Sequence, residues 1–285
     1  MNEQNQLGQF IPLHYHHNML LDPVRMGGFK TAIGQVVQPG SVVVELGGGT
    51  GVLSFFAAQK AKKVYYVEYN PELVEEARRI LAGNENGERV ELVHGDACTF
   101  TPPEPVGAVI CEMLHVGFLR EKQLEVISAF KRNYAARHEG PLPIFIPFAT
   151  LQAVQPVHHP FDFHGYKATV PMFNDPGVEN PDITPLGNPA VYHQVVYDQP
   201  FDLGISWRGS VPITAAGTVN ALRFITKNLL SVEPKTQGIT DWHNHYLILP
   251  LATPIPVQPG DALEIAFAYE SGAPLSALQP HVALA

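Results

Sequence analysis

The chain has 285 residues, of which 45% are hydrophobic and 16% charged, so it is long enough to bury one large core or two ordinary ones and too apolar for a disordered protein. A formal net charge of −9 disfavours a nucleic-acid partner and would steer a cationic substrate toward the surface. Only two cysteines, Cys98 and Cys111, are present, so no disulfide framework is expected, and the polar first ten residues and the lack of a long apolar run predict a cytoplasmic protein without a membrane span.

Composition divides the chain into two halves. Residues 1–140 contain 13 of the 18 Lys and Arg residues, whereas residues 141–285 contain 19 of the 26 prolines. Prolines at that density exclude long helices and favour short strands joined by turns. We therefore expect a helical N-terminal segment in residues 1–40, an α/β core in residues 41–143 and a β-rich domain in residues 144–285.

Segments of the α/β core alternate between strand and helix patterns. The β-branched run Ser41–Glu45 is typical of a strand buried on both faces, and Asn70 followed by Pro71 marks a helix start. The predicted strands are Ser41–Glu45, Lys63–Glu68, Val90–His94 and Val106–Glu112, and the predicted helices are Thr50–Ala61, Pro71–Leu81 and Phe118–Tyr134. This alternation predicts a Rossmann-like, doubly wound parallel sheet, which binds ligands at the carboxyl ends of its strands.

The second half contains runs that alternate between apolar and polar residues, as strands do. The clearest of these runs are Thr150–Gln155, Ala190–Val196, Ala221–Thr226, His245–Leu251 and Ala262–Tyr269. They predict an antiparallel β-barrel or β-sandwich domain rather than a second nucleotide-binding fold.

A glycine-rich segment, Val44–Gly51, ends the first strand and opens the first helix of the α/β core. Its glycines allow a tight turn and let a ligand lie against bare backbone. Val52 stands where the dinucleotide fingerprint needs its third glycine, and no Gly-Lys-Ser/Thr follows, so the segment is neither a dinucleotide loop nor a phosphate loop. Glu45, two residues before Gly47, suits a cationic ligand, and Glu68 at the end of the next strand is placed to accept hydrogen bonds from ribose hydroxyls. The predicted cofactor is S-adenosyl-L-methionine, which carries an ammonium and a sulfonium.

Residues Val43–Leu81 resemble the nucleotide-binding motif of class I methyltransferases, and within that class the chain looks like the protein arginine methyltransferases. Three more segments carry the resemblance: His16–Ile33 resembles the family's H-x-x-M-L-x-D-x-x-R helix, Glu112–Glu121 its double-glutamate hairpin, and Thr240–Trp242 its Thr-His-Trp loop. The resemblance implies an S-adenosylmethionine-dependent N-methyltransferase and a homodimer. It also implies a lid in the helical segment, cofactor binding in the α/β core, and substrate binding and dimerisation in the β-rich domain.

The resemblance further implies roles for single residues. Gly47, Gly49 and Gly51 would line the methionine part of the cofactor, and Arg25 would bind its carboxylate. His16 and Met19 would contact the cofactor from the lid helix. Asp96, with Ala97 beside it, would accept a hydrogen bond from the adenine amino group. The alternative interpretations are an exposed helix arginine for Arg25 and a simple turn residue for Asp96. Asp241 and Trp242 would contact the acceptor.

Glu112 and Glu121 are the candidate catalytic residues, and two carboxylates make physical sense for a guanidinium acceptor. A guanidinium is planar, presents a fork of N–H donors that carboxylates match, and has a pKa too high for it to lose its proton in advance. Two anions can hold the cation, localise its charge away from one nitrogen and aim that nitrogen at the methyl group. The alternatives are an acid that contacts the cofactor or a loop backbone for Glu112, and a solvated residue at a helix start for Glu121.

The chain departs from the family at three places. The first aromatic motif, Tyr-Phe-x-x-Tyr, aligns with Gln6–Phe10, where both tyrosine hydroxyls are missing. The loop histidine of Thr-His-Trp is Asp241, and its usual aspartate partner aligns with Asp22, so two acids would face each other and one would need a raised pKa or a cationic partner. The segment between Val157 and Tyr197 lies where the family inserts its dimerisation arm, and it does not resemble that arm closely.

Three functions are compatible with the sequence: an arginine methyltransferase acting on a protein or peptide, a methyltransferase of the same architecture acting on a small molecule or another nitrogen, and a weakly catalytic cofactor-binding module that regulates a partner. Amino methyltransferases of nucleic acids carry an Asn/Asp-Pro-Pro-aromatic run after the fourth strand, where this chain has Glu112–His115. The run His14–His17 lacks the companions and spacing of a structural metal site, so no metal is expected.

Overall fold

The computed structural model describes residues 11, 13–233 and 237–285. The helices are α1 (Leu13–Leu21), α2 (Pro23–Val36), α3 (Val52–Ala58), α4 (Pro71–Ala82) and α5 (Gln123–Arg137), with short 3-10 turns at Gly87–Arg89, Val116–Phe118 and Leu275–Ala277. The first strands are β1 (Val42–Leu46), β2 (Lys63–Glu68), β3 (Val90–His94), β4 (Ala108–Cys111) and β5 (Ile144–Ile146). The remaining strands are β6 (Ala149–His158), β7 (Asp162–Phe163), β8 (Tyr166–Lys167), β9 (Met172–Asn174), β10 (Thr184–Pro185), β11 (Ala190–Val196), β12 (Gly204–Pro212), β13 (Gly217–Val232), β14 (Ile239–His243), β15 (Tyr246–Val257), β16 (Ala262–Glu270) and β17 (His281–Leu284).

β1 to β5 form a sheet in the order β3-β2-β1-β4-β5, in which every neighbouring pair is parallel. β1 is buried at every position, as expected for a β-branched strand in the centre of such a sheet. The chain moves from β1 to β3 on one side and then crosses to β4 on the other. The topological switch point, where parallel sheets bind ligands, therefore lies between the carboxyl ends of β1 and β4.

The second half folds into antiparallel sheets. The larger one has the order β10-β6-β13-β15-β9, with β11 also paired to β6 and β14 also paired to β13, and the smaller one has the order β12-β16-β17. The sixteen-residue β13 is the central strand, because β6, β14 and β15 all pair with it. A parallel α/β sheet followed by this antiparallel domain confirms the predicted fold class.

Helix boundaries differ from the prediction most in α3 and at the start of α5. α3 ends at Ala58 rather than Ala61 and begins only after Gly51, whose φ of 82° is left-handed. α5 begins at Gln123 rather than Phe118, because Phe118 and Arg120 have φ values of 53° and 66°, which an α-helix does not contain. Glu121 therefore precedes α5 instead of starting it. No helix in the described part of the chain is long and apolar enough to cross a membrane.

One hydrophobic core runs through both halves of the chain. It contains Val44 of β1, Phe130 of α5 and Phe224 of β13 in a single contiguous cluster. α2 lies at the junction, where the ring of Phe29 packs 6.1 Å from the ring of Trp242 in β14. Because the halves share a core, side chains of the antiparallel domain can reach loops that leave the parallel sheet.

Candidate active site

A cavity of about 230 Å³ opens at the carboxyl edge of the parallel sheet, beside the switch point. Glycines after β1, Glu68 after β2, Asp96 after β3 and Glu112 after β4 all contribute to its wall, which is completed by α1 and α2. The cavity is lined by His16, Met19, Arg25, Glu45, Gly47, Gly49, Glu68, Asp96, Ala97, Glu112 and Glu121, among other residues. Of the residues predicted to bind the cofactor, Gly51 lies away from this wall.

The glycine loop presents backbone to the cavity. Gly47 and Gly49 have left-handed φ values of 76° and 53°, which favour glycine. A Cβ added at Gly49 would lie 2.8 Å from Cε1 of His16, so only glycine lets the α1 histidine approach the loop this closely. Glu68 Oε2 accepts a hydrogen bond from the Gly49 amide at 3.1 Å, and the Tyr66 hydroxyl donates to the Gly49 carbonyl at 2.6 Å. The loop is therefore held in a fixed shape with bare backbone facing the cavity.

Gly51 does not have the predicted contact with the cavity. It is the residue before α3, its φ is 82°, and an added Cβ would lie 3.0 Å from Cδ1 of Leu81 in α4. Glycine is needed here for the turn into α3 and for the close approach of α4, rather than for room around a ligand.

Two predicted cofactor acids differ in how they are held. Glu45 is buried, and its Oε2 accepts from both the amide (2.8 Å) and the hydroxyl of Ser54. Burial raises the pKa of Glu45 to about 8, although the Ser54 hydrogen bonds oppose the shift. Glu68 accepts from the Gly49 amide and, through Oε1, from the Asn70 amide at 2.8 Å. Glu45 is thus anchored to α3, whereas Glu68 joins the glycine loop to the loop after β2.

Asp96 lies in a turn at the end of β3 and also lines the cavity. Its Oδ1 accepts from the Cys98 amide at 2.8 Å, and its carbonyl accepts from the Thr99 amide at 3.0 Å, which is a turn. The same residue lines the cavity, with buried Ala97 beside it. The turn therefore fixes the carboxylate of Asp96 at the cavity wall.

α1 and α2 close the cavity with His16, Met19 and Arg25. Loss of hydration, and then the charge of Arg25, lower the pKa of His16, so its ring is neutral at pH 7. The Nε2 atom of His16 is buried and has no hydrogen-bond partner within the described residues. Because an unpaired buried polar atom is costly, a ligand atom that pairs with Nε2 would be favoured.

Arg25 and Glu112 form an ion pair in which the guanidinium donates to Glu112 Oε2. The two side chains are only 12% and 10% exposed. Arg25 also lies over Trp242, with its guanidinium carbon 4.9 Å from the ring centroid. Burial raises the pKa of Glu112, and the charge of Arg25 opposes this shift. Oε1 of Glu112 is buried without a partner among the described residues, so one side of the carboxylate is available to a ligand.

Glu121 lies on the same wall, in the loop between β4 and α5. Burial, followed by the charge of Glu112, raises the pKa of Glu121 to about 7, while Arg25 and Arg120 act in the opposite direction. The two acids are therefore close enough to repel each other, and Glu121 is half-protonated near neutral pH.

The loop that carries both acids is fixed by the antiparallel domain. The Gly117 amide donates to Thr226 Oγ1 at 2.9 Å, and the Tyr269 hydroxyl donates to the Gly117 carbonyl at 2.9 Å. The Arg120 amide donates to the Ala273 carbonyl at 2.8 Å. These partners are far from the loop in sequence, so no local pattern revealed them.

The two residues predicted to contact the acceptor, Asp241 and Trp242, do not line the cavity. Trp242 is buried and acts on the site through Arg25. Asp241 Oδ2 pairs with Lys227 Nζ at 2.7 Å, while Asp22 caps α2 by accepting from the Arg25 amide at 2.9 Å. Asp241 thus has a cationic partner of its own, which is one of the two arrangements expected from the sequence.

Sequence reasoning missed several wall residues, and two of them, Met113 and Lys122, directly follow the candidate catalytic acids. Met113 follows Glu112 and lies against the glycine loop, where a Cβ added at Gly47 would be 2.9 Å from its Cγ. Lys122 follows Glu121 and adds a cation to the wall.

The segment Gln6–Phe10, which aligns with the family's first aromatic motif, lies outside the described residues. Within the part of the chain that the structure describes, no group of three or more His, Cys, Asp or Glu side chains could hold a metal ion.

Comparisons with known proteins agree with this geometry. Residues 43–135 match the model of a methyltransferase domain family. An uncharacterised protein of Methanothermobacter thermautotrophicus is 29% identical over 270 residues, which cover 94% of this chain and 97% of that protein. A probable histone-arginine methyltransferase CARM1 of Oryza sativa subsp. indica is 37% identical over 117 residues, which cover 40% of this chain and 22% of that protein. The solved structure of the Trypanosoma brucei PRMT1 enzyme–prozyme heterotetrameric complex with AdoHcy has the same fold, with a TM-score of 0.71, 17% sequence identity and 99% of each chain covered.

Proposed function

We propose that this chain, which is an S-adenosylmethionine-dependent methyltransferase with the fold of the protein arginine methyltransferases, transfers a methyl group to a guanidinium nitrogen. The ion pair of Arg25 and Glu112 carries the proposal. The acid at the end of β4 holds a guanidinium on one oxygen, and its other oxygen is buried without a partner among the described residues. Glu121 on the same wall would engage the acceptor guanidinium from a second side.

The charge of the cavity supports a cationic acceptor. Its wall includes five carboxylates against two cations among the described residues, and the acids predominate even though burial raises the pKa of Glu45 to about 8 and that of Glu121 to about 7, so that these two are partly protonated near neutral pH. S-adenosylmethionine would bring an ammonium, a sulfonium and a carboxylate, and a guanidinium would bring one more positive charge. Buried charges need compensation, so a site with this excess of acids favours both ligands together.

The donors and acceptors on the wall fit the cofactor. Glu68 would accept from the ribose hydroxyls, Asp96 from the adenine amino group, and the backbone at Gly47 and Gly49 would face the methionine part. Arg25 is the cation suited to the methionine carboxylate. When bound, S-adenosylmethionine supplies an electrophilic methyl group on its sulfonium.

Arg25 would have to change partner when the cofactor binds. Its guanidinium would turn from Glu112 toward the cofactor carboxylate while the ring of Trp242 keeps it in place. This exchange would free Glu112 for the acceptor. The proposal therefore includes an order of binding, with the cofactor first and the acceptor second.

Glu121 is the group suited to take the released proton. A guanidinium nitrogen that gains a methyl group would have to lose one proton. Burial and the charge of Glu112 raise the pKa of Glu121 to about 7, so its carboxylate can accept this proton and pass it to water. Glu112 would keep its charge and hold the methylated guanidinium.

The proposal also includes a homodimer. α1 exposes Leu13, Tyr15, Leu20 and Leu21, and the segment between β6 and β11 exposes Tyr166 and Val178. A second copy that covers these apolar side chains would hold α1 against the cavity.

We also propose a cytoplasmic location, in keeping with the free thiols of Cys98 and Cys111.

The acceptor can be identified by an unbiased assay. A cell lysate is incubated with the enzyme and isotopically labelled S-adenosylmethionine, and the labelled products are identified by mass spectrometry, with the Glu112→Gln variant as background. Methylarginine in proteins or peptides is the expected product. Label on a small amine or on a lysine side chain would overturn the guanidinium acceptor.

A further inference from the structure

Five buried polar side chains connect the loop of Glu112 to the core of the antiparallel domain. Gln123, Thr150, Tyr197 and Asn228 are fully buried, and Asn244 is 7% exposed. They come from α5, from β6, from the residue after β11, from β13 and from the turn between β14 and β15. We call this set the Gln123–Asn244 network.

In the half of the network that lies in the antiparallel domain, the donor and the acceptor of every hydrogen bond can be assigned. Asn244 Nδ2 donates to the Leu114 carbonyl at 2.8 Å, and Asn244 Oδ1 accepts from Asn228 Nδ2 at 2.8 Å. Asn228 Oδ1 accepts from the Thr150 hydroxyl at 2.9 Å. A threonine hydroxyl has one proton, so the Tyr197 hydroxyl, 2.9 Å from Thr150 Oγ1, must be the donor of that pair.

The other half of the network brackets Glu112. Gln123 Nε2 donates to the Cys111 carbonyl at 2.8 Å, and Gln123 Oε1 accepts from the Met113 amide at 2.9 Å. Gln123 also lies near the Tyr197 hydroxyl, where it opposes the rise in the pKa of Tyr197 that burial causes. Both halves of the network therefore contact the backbone of the same short segment, at residues 111, 113 and 114.

We propose that the Gln123–Asn244 network positions Glu112 for methyl transfer, with Gln123, Thr150 and Asn228 as positioning residues. β4 ends at Cys111, so sheet pairing does not fix the direction of Glu112, and the network supplies this restraint. Thr150 and Asn228 do not line the cavity, so they act only through Asn244, which holds the Leu114 carbonyl. This inference rests on the proposed function.

The isosteric pair Thr150→Val and Thr150→Ser tests the proposal. Valine keeps the shape and the strand preference of threonine but removes the link between Tyr197 and Asn228, whereas serine keeps the link. We expect Thr150→Val to lower kcat by roughly tenfold or more, since small misplacements of reacting groups are costly. The Kd of this variant for S-adenosylmethionine should stay within about twofold of the wild-type value. Thr150 does not line the cavity, so its replacement removes no contact with the cofactor. Thr150→Ser should restore kcat.

Hydrogen–deuterium exchange provides a readout that does not need an acceptor. In Thr150→Val, amides of the peptide that contains Met113 and Leu114 should exchange faster than in wild type, while those of β1 and β2 should not. The control is Thr218→Val, a matched change on β13 outside the network.

Three results would overturn the proposal: unchanged exchange in the Met113 peptide, faster exchange with unchanged kcat, or a Thr150→Ser enzyme as slow as Thr150→Val. A loss of cofactor affinity as large as the loss of kcat would also overturn it, because that pattern indicates general loosening. If the wild-type enzyme methylates another acceptor, the proposed function fails, and kcat for that acceptor then decides the role of the network.

Discussion

The guanidinium of Arg25 lies on the carboxylate of Glu112, so the acid at the end of β4 is paired within the chain itself. Both side chains are largely buried at the switch point of the parallel sheet. Only Oε2 of Glu112 takes part, and Oε1 has no partner among the described residues. The charge of Glu112 therefore has two roles. It pairs with Arg25 when no cofactor is bound. It binds the acceptor, as proposed, once Arg25 has turned to the cofactor.

Glu112→Gln should lower kcat at least about a hundredfold, the usual cost of removing a group that stabilises charge in the transition state. Cofactor affinity should change little, because Arg25 is then free to bind the cofactor carboxylate. Single-turnover methyl transfer and calorimetry measure the two effects. Glu264→Gln, a change of an exposed acid on β16, is the matched control. Wild-type turnover in Glu112→Gln would show that the double-glutamate assignment is wrong.

The pH dependence of kcat/KM should report Glu121. Its pKa is raised to about 7, so the side chain is protonated below that pH and carries its charge above it. The guanidinium stays charged throughout this range. We expect kcat/KM for the acceptor to rise with pH through about 7 and then to level off, and Glu121→Gln to remove this rise and lower the plateau.

Two outcomes would contradict this assignment. A rise that persists unchanged in Glu121→Gln would point to Glu45, whose pKa is raised by burial to about 8. Full turnover in Glu121→Gln together with an inactive Glu112→Gln would indicate an acceptor other than a guanidinium. The Kd of the cofactor, measured at the same pH values, separates cofactor binding from acceptor binding.

Glu68→Ala should weaken binding of S-adenosylmethionine by about 1–3 kcal/mol, the cost of losing a charged hydrogen-bond partner. The amides of Gly49 and Asn70 lose their acceptor in this variant, so the glycine loop is also released. Glu68→Gln keeps an acceptor oxygen for Gly49 and should lose less affinity. Calorimetry measures both variants, and a preference of the wild type for a nicotinamide dinucleotide would refute the assignment of the cavity.

Light scattering at micromolar concentration should give a particle of twice the 31.2 kDa chain. Leu21→Glu and Tyr166→Glu each place a charge on an exposed apolar surface outside the cavity wall and should produce monomers with weaker cofactor binding, because α1 is then no longer covered by the second copy. Leu284→Glu changes an exposed residue of β17 and serves as the control. A wild-type particle of 31 kDa would count against the dimer.

Features that depend on neighbours a few residues away could be predicted from the sequence. The β-branched run of β1, the glycines after it and the position of Glu112 at the end of β4 are all local patterns. Thr150 and Asn228 look like ordinary polar strand residues, and only the register between β6 and β13 places them side by side. Lys227 and Asp241 likewise meet across β13 and β14, near a bulge that no local signal indicates.

The start of α5 shows the same limit. Non-glycine residues rarely have left-handed φ, so nothing in the sequence predicts this conformation at Phe118 and Arg120. Tertiary hydrogen bonds support it: the Arg120 amide donates to the Ala273 carbonyl, and the Gly272 amide donates to the Phe118 carbonyl. These bonds come from the far end of the antiparallel domain and delay the helix, which places Glu121 in a loop instead.

The anchors of the loop between β4 and α5 also set an order of events during biosynthesis. The hydrogen-bond partners of Gly117 are Thr226, 109 residues later in the chain, and Tyr269, 152 residues later. The partner of Leu114 is Asn244, 130 residues later. Because the chain leaves the ribosome from its N-terminus, the parallel sheet and its glycine loop are synthesised long before these anchors. Glu112 and Glu121 therefore lack these anchors in a nascent chain, and translation must pass Tyr269 before their loop can reach its final shape.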